Sequence, residues 1–467
     1  MHFNQKYSMI LIAAAILIVL LSWGMHAPPH MQDILTGEID TSVEIIIHPV
    51  RIVFEPLIGF LLFLVRGIRP LQEFLMLILW IFVIDLVIIL RSRGTSLISR
   101  SLGRWGGRIA LHLAVWSGIL LIMLFGHLPA NSVTNLSDDQ ALVNIHSHTD
   151  YSHDGLVSHK GLHAWHERNG FDAYFLTEHN HHTSTLQWVE KQTQNEISGH
   201  PVVLAGQEYS GSNHILLLGL TRAFNTKDMP DSVAIDSAHV QNGIAIVAHW
   251  FSHKRHPLIK YIRDGADGFE IANQAEGLSV DSIDRQTIID HATAHELLLL
   301  ASCDYHGYGP SAYAYVAFEI AGWDDLSVPE KRASIMDILR RREQERIRPL
   351  IYVDRPVYSS SLLWASPFIN LFYYFRHLSL LQTLAWLIWL PILGWLFMHI
   401  REKRFLHIAA IIASASVLYF GTRFLLLSRH AFMENDIYAE YGIHLAIIGV
   451  VFLLYAVIYT MMTRARV

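Results

Sequence analysis

Long apolar stretches near both ends of the chain flank a middle stretch in which short apolar runs alternate with polar segments. A helix needs about 20 apolar residues to cross the hydrocarbon core of a bilayer. Stretches of roughly that length, the first short but free of charge, predict membrane helices over Ser8–Trp23, Leu71–Leu90, Ile109–His127, Ser379–Met398, Phe405–Leu427 and Tyr441–Met462. We therefore predict an N-terminal membrane region over 1–130, a domain over 135–356 and a C-terminal membrane region over 359–467.

Two further apolar segments fit a membrane less simply. Ile45–Val65 is interrupted by two prolines, Arg51 and Glu55, which favours a broken or re-entrant helix over a full span. Whether Ile45–Val65 crosses the membrane stays open. Ser359–Leu378 is rich in aromatic residues, which suits the membrane interface, and a short packed helix is the alternative.

The positions of Lys and Arg indicate the orientation, because cytoplasmic loops carry an excess of both. Basic residues fill one short C-terminal loop and follow the last span: Arg401, Lys403, Arg404, Arg464 and Arg466. With these in the cytoplasm, the C-terminal spans place the middle domain outside. We expect a multi-pass protein of the plasma (inner) membrane with an extracytoplasmic, periplasmic domain. Asp85, inside a predicted span, should have a role, because a charge in lipid is costly.

Short apolar, β-branched runs recur through the middle stretch and predict strands over Ala141–Ile145, Phe171–Leu176, Pro201–Gly206, His214–Leu220, Gly243–Ala248, Gly268–Ala272 and Leu297–Ser302. Helical stretches lie between several of them, one starting at Ser158 and one with Ser327 and Glu330 as a capping box. Near-continuous apolar strands that alternate with helices favour a parallel sheet covered on both faces. We predict an α/β fold, a distorted (β/α)7 barrel of TIM type.

Residues that can bind metal ions concentrate at the ends of these strands: His146, His148, Asp154, His179, Glu208, His214, His249, Asp304 and His306. Most follow the C-terminal ends of strands, while His214 opens the fourth strand and Asp154 lies in the loop after the first. In a barrel of parallel strands, functional groups gather at the C-terminal rim. Residues far apart in sequence are therefore expected at one mouth.

The residue types indicate the chemistry. Imidazoles and carboxylates suit Mn, Zn or Fe, and the alternation of side chains along a strand points His146 and His148 to one face. A carboxylate such as Glu208 can bridge two ions, and paired ions can stabilise the attacking and leaving oxygens of an in-line displacement. We predict a divalent metal site for ester hydrolysis.

Composition narrows the alternatives. The chain is 52% hydrophobic and 16% charged, whereas soluble proteins carry about 25% charged residues. The net charge is only -6 and no basic stripe is present, so we expect no nucleic acid partner. Cys303 is the only cysteine, which excludes a disulfide within the chain, and we expect it to be a small core residue.

Five ordered motifs resemble the polymerase-and-histidinol-phosphatase (PHP) family of metallohydrolases: HSHTDYSHDG at 146–155, TEHN at 177–180, GQEYS at 206–210 with His214, AHW around His249, and CDYH at 303–306. The resemblance covers about 165 residues of the middle domain and implies a seven-stranded distorted barrel with three divalent ions. It implies a first ion on His146, His148, Glu208 and Asp304, which are also the predicted catalytic residues. It implies a second on Glu208, His214 and His249, and a third on Asp154, His179 and His306.

Other polar residues near these motifs are weaker candidates. Lys254 and Arg255 follow the His249 strand, where they could meet a phosphate by charge and hydrogen bonding, and a solvated turn is the alternative. His181 is a candidate substrate contact or a loop residue. Glu270 and Asn273 could orient ligands. The other histidines of the first helix, such as His163 and His166, are expected to be exposed.

The leading hypothesis is a membrane-anchored phosphoesterase that hydrolyses a lipid-linked or extracytoplasmic phosphomonoester by metal-activated water. The expected partners are a phosphorylated small molecule or lipid and the bilayer itself. One alternative is a phosphodiesterase that acts on a nucleotide or a lipid head group. Another is a metal-binding membrane sensor without hydrolase activity. The oligomeric state is not predicted.

Overall fold

The computed structural model describes residues 5–66, 69–91, 98–254, 256–275, 282–399, 402–430 and 436–464. The strands are β1 His30–Asp33, β2 Ile39–Asp40, β3 Val43–Ile46, β4 Ser132–Asn135, β5 Gln140–Asn144, β6 Ala173–Leu176, β7 Val202–Ser210, β8 His214–Leu218, β9 Ile244–Val247, β10 Gly268–Asn273, β11 Leu298–Ser302, β12 Ala314–Glu319 and β13 Ile347–Val353.

The α-helices are α1 Gln5–Val19, α2 Pro49–Leu64, α3 Pro70–Arg91, α4 Ile98–Phe125, α5 His159–Arg168, α6 Thr183–Thr193, α7 Asp231–His239, α8 Trp250–His253, α9 Leu258–Arg263, α10 Ser282–Ala294, α11 Val328–Arg341, α12 Ser366–Arg376, α13 Leu380–His399, α14 Glu402–Leu427 and α15 Ile437–Arg464. The predicted capping residues are confirmed: Ser158 caps α5, and Ser327 with Glu330 forms a capping box at α11.

A mixed sheet of eleven strands lies at the centre, in the order β11-β10-β9-β8-β7-β6-β5-β12-β13-β1-β2. All seven predicted strands are present, as β5 to β11. The prediction of a wholly parallel sheet is wrong, because β8 runs antiparallel to both β7 and β9. Only residues 211–213 join β7 to β8. A parallel connection needs a crossover of a dozen or more residues, so this short link forces a hairpin.

The predicted barrel also requires the sheet to close on itself. β11 lies against β12 and β13, but among the described residues the hydrogen-bonded strand order does not form a ring. The distorted (β/α)7 barrel therefore stays a prediction. What the structure supports is a mixed α/β fold with a large central sheet.

Strands also arise where the sequence predicted only membrane segments. β1 pairs with β13, placing Met31 opposite Tyr352, and β3 pairs with β4. Met31 is completely buried in the core. The N-terminal region predicted over 1–130 is therefore not purely helical, since part of it completes the central sheet. β1, β2 and β3 have four residues or fewer, too short for an alternating pattern to be recognised.

The core that positions the strands is apolar on both faces of the sheet. On one face, Val143, Phe175 and Ile246 pack with Ile335 and Leu339 of α11. Full burial of such a side chain contributes about 1.5–3 kcal/mol. Since many of these residues belong to the strands that carry the ligand-type residues, the core holds the ends of those strands in fixed positions.

In the part of the chain that the structure describes, four helices are long and apolar enough to cross a membrane. The apolar stretches are Pro70–Val87, Arg108–Phe125, Leu406–Leu427 and Ile437–Met462, and each overlaps a predicted span. The N-terminal segment Ser8–Gly24 is a shorter apolar helix.

The predicted span Ser379–Met398 corresponds to α13, which forms a pair with the preceding segment. Together, Ser360–Arg376 and Leu380–Leu396 are long and apolar enough for a span, and they are bent by 115° at the break between them. We predicted an interfacial segment over Ser359–Leu378 and a separate span over Ser379–Met398, whereas the corresponding helices form one bent pair. Such a pair is either a broken span or a re-entrant loop.

Ile45–Val65 forms the end of β3 and then α2. The helix is kinked at Phe54, two residues before Pro56, because proline lacks the N–H that an interior helical position requires. Arg51 and Glu55 are both buried in it and form an ion pair at 3.1 Å. A buried charge is tolerated when it is paired, so these residues do not need to face water. Asp85 also has a partner, since Arg108 Nη2 lies 3.1 Å from its carboxylate.

Candidate metal centre

One rim of the sheet brings together the nine residues predicted as metal ligands. Most follow the C-terminal ends of parallel strands, where functional side chains gather in such folds. His214 instead opens β8. Because β8 is antiparallel, His214 pairs with Ser210 at the end of β7 and reaches the same rim. The strand reversal explains why a ligand-type residue begins this strand.

The first group comprises His146, His148, Glu208 and Asp304, and all four side chains are buried. The Nε2 atoms of His146 and His148 are 3.0 Å apart. Glu208 Oε2 lies 3.2 Å from His146 Nε2 and 3.1 Å from His148 Nε2. Asp304 Oδ1 lies 3.2 Å from each of these nitrogens. Four ligand atoms thus surround one point.

This arrangement fits a divalent ion. Ligand atoms about 2.0–2.1 Å from a tetrahedral ion lie roughly 3.3 Å from one another, close to the separations in the first group. Two imidazole nitrogens that face each other at 3.0 Å cannot both carry protons without repulsion, whereas one cation can accept all four lone pairs. The donor set of nitrogen and carboxylate oxygen suits Zn, Mn or Fe without selecting among them.

A second group comprises His148, Asp154, His179 and His306. Asp154 Oδ2 lies 3.1 Å from His179 Nε2 and 3.2 Å from His306 Nε2. The other oxygen, Oδ1, is buried and has no hydrogen-bond partner among the described residues. An acceptor left in that state is costly, and a cation would remove the cost. The group contains the three residues expected for the third ion and adds His148.

A third group comprises His179, Glu208 and His214. Glu208 Oε1 lies 2.7 Å from His214 Nδ1, and Oε2 lies 3.2 Å from His179 Nδ1. The family resemblance implied His249 here instead of His179. His249 Nε2 is 3.3 Å from Glu208 Oε1, so it faces the same carboxylate without joining this closest group. The assignment of residues to individual ions stays a prediction.

The charges within the centre favour a cation. Burial opposes protonation of His148, but its hydrogen bonds to Asp304 and Glu208 outweigh that effect and raise its pKa to about 10. Burial also opposes charge on Glu208, yet the positive charges of His146 and His214 hold its pKa well below the usual value. The carboxylates therefore stabilise positive charge at this point, and a divalent ion would supply it.

Glu270 and Asn273, at the end of β10, orient ligands of the first group. Glu270 Oε1 accepts a hydrogen bond from His146 Nδ1 at 3.1 Å, which leaves Nε2 directed at the centre. Glu270 Oε2 accepts from the backbone N–H of His249 and from Asn273 Nδ2. Asn273 Nδ2 also donates to Asp304 Oδ2 at 3.2 Å. Carboxylates that bind the second nitrogen of a metal-ligating histidine fix its tautomer in this way.

Glu178 is a buried carboxylate next to the metal centre that the sequence analysis did not single out. His148 Nδ1 lies 3.1 Å from Ser152 Oγ, which donates to Glu178 Oε2 at 2.6 Å. Glu178 is completely buried and also accepts from the hydroxyl of Thr149. The signal in the sequence was its position, because Glu178 directly precedes the ligand-type residue His179 just after the end of β6.

His166 is a residue whose environment was predicted wrongly from the sequence. It was expected on an exposed helix face, but it is completely buried, and His163 is buried as well. His166 Nδ1 donates to Leu162 O, so Nε2 accepts from Asn144 Nδ2 at 3.0 Å. Asn144 Oδ1 in turn accepts from the backbone N–H of Cys303. His166 therefore orients a side chain that joins the two strands next to His146 and Asp304.

Backbone strain marks the same rim. His249 and Asp304 have φ values of 29° and 49°. Positive φ is unfavourable for residues with a Cβ and is found where the surroundings impose it, often at functional sites. Packing and the hydrogen bonds of Glu270 and Asn273 hold these two residues in place.

Among the described residues, the centre is most exposed on one side, which we call the open side. The side chains of Asp154 and His214 are 31% and 29% exposed, and that of His306 is 14% exposed. The side chains of the first group are at most 5% exposed. A substrate would therefore reach the centre from the side of Asp154, His214 and His306.

The predicted substrate contacts receive less support. Lys254 Nζ lies 2.6 Å from Asp284 of α10, so its charge is already paired. Arg255 lies outside the described residues. His181 is half-buried. These three roles stay predictions. Cys303 is buried, as expected, and burial raises the pKa of its thiol to about 12.

Comparison with protein-family models and with curated proteins gives no match. Solved structures that are similar to this chain include a two-domain protein from Bacteroides vulgatus that contains a predicted PHP-like metal-dependent phosphoesterase. It has 17% identity and a TM-score of 0.36, over 49% of this chain and 70% of that one.

Two further structures are similar. One is a proposed metal-dependent phosphoesterase from Bifidobacterium adolescentis, with 16% identity and a TM-score of 0.29, over 43% of this chain and 96% of that one. The other is an amidohydrolase from Chromobacterium violaceum, with 14% identity and a TM-score of 0.29, over 35% of this chain and 87% of that one. These likenesses are weak, and no role of a residue in this chain depends on them.

Proposed function

We propose that this chain is a membrane-anchored, metal-dependent phosphoesterase that hydrolyses a phosphomonoester. The observation that supports this most directly is the closed group of His146, His148, Glu208 and Asp304, which shares residues with two neighbouring groups. Adjacent divalent ions lower the pKa of a bound water and stabilise charge on phosphoryl oxygens. We therefore propose up to three divalent ions, of Mn, Zn or Fe, as the cofactors.

The chain's own residues would prepare the site for this reaction. Glu270 accepts a hydrogen bond from Nδ1 of His146, and Ser152 accepts one from Nδ1 of His148. The Nε2 lone pairs of both histidines therefore point toward the centre. Burial of the first group excludes bulk water and strengthens electrostatic interactions. Asp154 and His306 line the open side, where the substrate phosphate would enter.

We also propose that the four long apolar helices anchor the enzyme in the plasma (inner) membrane, with the metal centre on the extracytoplasmic side. The support for the anchor is the length and composition of α3, α4, α14 and α15. The support for the orientation is the positive charge of Arg401, Lys403 and Arg404, between the predicted spans Ser379–Met398 and Phe405–Leu427.

Phosphatase activity of the purified, detergent-solubilised chain tests the function. Hydrolysis of p-nitrophenyl phosphate would be measured with added Mn²⁺ or Zn²⁺, and the metal content of each sample would be determined in parallel. The His146→Ala/His148→Ala variant should lose activity by at least a thousandfold. A matched control is His295→Ala, because His295 is exposed before the start of β11, away from the rim.

Other results would favour other functions. Cleavage of bis-p-nitrophenyl phosphate in preference to the monoester would favour a phosphodiesterase. A protein that binds metal stoichiometrically and cleaves neither ester would favour the metal-binding sensor.

A further inference from the structure

The loop that carries Asp154 rests on the membrane helices. Leu156, two residues after Asp154, packs its side chain against Phe424 of α14 and Tyr438 of α15. Its backbone N–H donates to the carbonyl oxygen of His306 at 2.8 Å. One residue therefore touches both the loops of the open side and the helices.

The loop that carries His306 makes a second contact of the same kind. Gly309 donates its N–H to the carbonyl oxygen of Leu124, in the last turn of α4, at 2.9 Å. Gly307 has a φ of 94°, and a Cβ there would lie 2.6 Å from the backbone of Leu156. Only glycine lets the two loops approach this closely, so together they form one surface on the helix ends.

In a protein anchored by these helices, their ends mark one edge of the bilayer. The apolar stretches in α4 and α14 end at Phe125 and Leu427, and the one in α15 begins at Ile437. All three residues pack in the cluster that contains Leu156. If the helices cross a membrane, Leu156 lies at the boundary between hydrocarbon and head groups.

The depth of the open side follows from chain geometry. Two residues span at most about 7 Å, so Asp154 lies within that distance of Leu156. A bilayer is about 40–45 Å thick with head groups and about 30 Å without them, which leaves roughly 5–8 Å of head groups on each side. The open side of the metal centre therefore lies at the level of lipid head groups.

Both signs of charge occur at this edge, because Asp436 and Glu440 at the start of α15 are exposed. Arg168, at the end of α5, and Arg423, of α14, are both exposed. Burial, together with the positive charges of these two arginines, lowers the pKa of His127, two residues after α4. One cation from the domain and one from the helices therefore act on the same residue near the end of α4, where they would attract a lipid phosphate.

We infer that the substrate is a membrane lipid whose head group is a phosphomonoester, hydrolysed while its acyl or isoprenoid chain stays in the bilayer. This inference rests on the proposed phosphoesterase function and on the anchoring of the helices. A water-soluble phosphate would have no need of an opening at head-group depth. In the reaction, water adds to phosphorus, the bond from phosphorus to the lipid oxygen breaks, and that oxygen takes a proton to leave a lipid alcohol and inorganic phosphate.

Kinetics with matched substrates test the inference. The full-length protein in mixed micelles would be given phosphatidate, a polyprenyl phosphate, water-soluble glycerol 3-phosphate and p-nitrophenyl phosphate. We expect kcat/KM for at least one lipid to exceed that for glycerol 3-phosphate at least tenfold. The rate should also fall when the lipid is diluted in the micelle surface at constant bulk concentration.

The outcomes separate the two levels of the proposal. Cleavage of p-nitrophenyl phosphate without preference for either lipid would overturn the lipid inference and leave the phosphoesterase standing. Failure to cleave any of the four substrates would overturn both.

A second measurement tests the depth without relying on activity. Tyr308, between the two glycines of the His306 loop, is 44% exposed, and Val240, beyond the opposite end of β9 from His249, is 77% exposed. Tyr308→Cys and Val240→Cys would be labelled with a fluorophore in vesicles, since the native Cys303 is buried. Lipids with a spin label on the head group should quench the label at 308 severalfold more than the label at 240. Equal quenching, or none at 308, would contradict the inferred depth.

Discussion

Replacement of Glu270 by glutamine should weaken metal binding although Glu270 touches no proposed ion. Its carboxylate is completely buried and accepts hydrogen bonds from His146 Nδ1, the N–H of His249 and Asn273 Nδ2. In Glu270→Gln, an NH₂ group replaces one acceptor oxygen. If the amide oxygen keeps the bond to His146, the NH₂ group faces two other donors.

The magnitude follows from the role of the carboxylate. Loss of a residue that orients a metal-ligating histidine typically lowers metal affinity or activity 10–100-fold, or about 1.4–2.7 kcal/mol. Unsatisfied buried donors add about 1–3 kcal/mol each to the loss of folding stability. We therefore expect metal affinity and kcat/KM to fall 10–100-fold, with KM for p-nitrophenyl phosphate changed much less than kcat.

Metal affinity would be measured by competition with a chromophoric chelator, and kcat/KM on metal-saturated samples. Glu319→Gln is the matched control, because Glu319 is exposed on β12. If Glu270→Gln bound metal and turned over substrate like the control, the proposed positioning of His146 by Glu270 would be refuted.

Three further predictions concern metal, pH and the thiol. Dialysis against a chelator should abolish phosphatase activity, and Mn²⁺ or Zn²⁺ should restore it; activity that survives with no bound metal would contradict the metal requirement. Burial lowers the pKa of His166 to about 3, below its value of about 6.5 in the unfolded chain, so stability is present above pH 6.5 and is lost as pH falls. Between pH 7 and 5 this loss is about 2 kcal/mol, which unfolding curves should show for the wild type but not for His166→Gln; equal losses would contradict it. Cys303→Ala should keep kcat/KM within twofold, because burial raises the pKa of the thiol to about 12 and leaves it protonated; a large loss of kcat at an unchanged metal content would indicate that the thiol takes part.

Much of the sheet could be predicted because its strands are apolar on both faces. Runs such as Phe171–Leu176 and Leu297–Ser302 leave little choice besides a buried strand, and β6 and β11 lie within them. The direction of β8 could not be predicted from periodicity, which is the same for either direction. The length of the link at 211–213 carried that information.

The short strands of the N-terminal region were missed for a different reason. β1 follows an apolar helix and has the sequence HMQD, which alternates without a strong apolar signal. Its partner is β13, more than 300 residues later, and no local pattern reports a pairing over that distance. Across the bend between α12 and α13, Tyr374 and Trp386 contact each other, a contact that the apolar character of the two segments does not report.

The candidate site was predictable to the extent that its chemistry is local. Ligand-type residues at strand ends, such as His146 and His148, can be recognised from their residue type and position. The residues that support them cannot, because the burial of Glu178 and His166 becomes apparent only in three dimensions. The grouping of ligands around each ion is also a matter of distances, which is why His179 approaches Glu208 and His214 more closely than the sequence indicated.

The number of metal ions bound per chain tests the central claim most directly. It would be measured by mass spectrometry of the purified full-length protein after saturation with Mn²⁺ or Zn²⁺ and dialysis, beside Glu208→Gln. Glu208 faces two of the groups, so we predict two to three ions in the wild type, the loss of at least one in the variant, and a loss of phosphatase activity with it. Less than one ion per chain in the saturated wild-type protein would contradict the proposed metal centre.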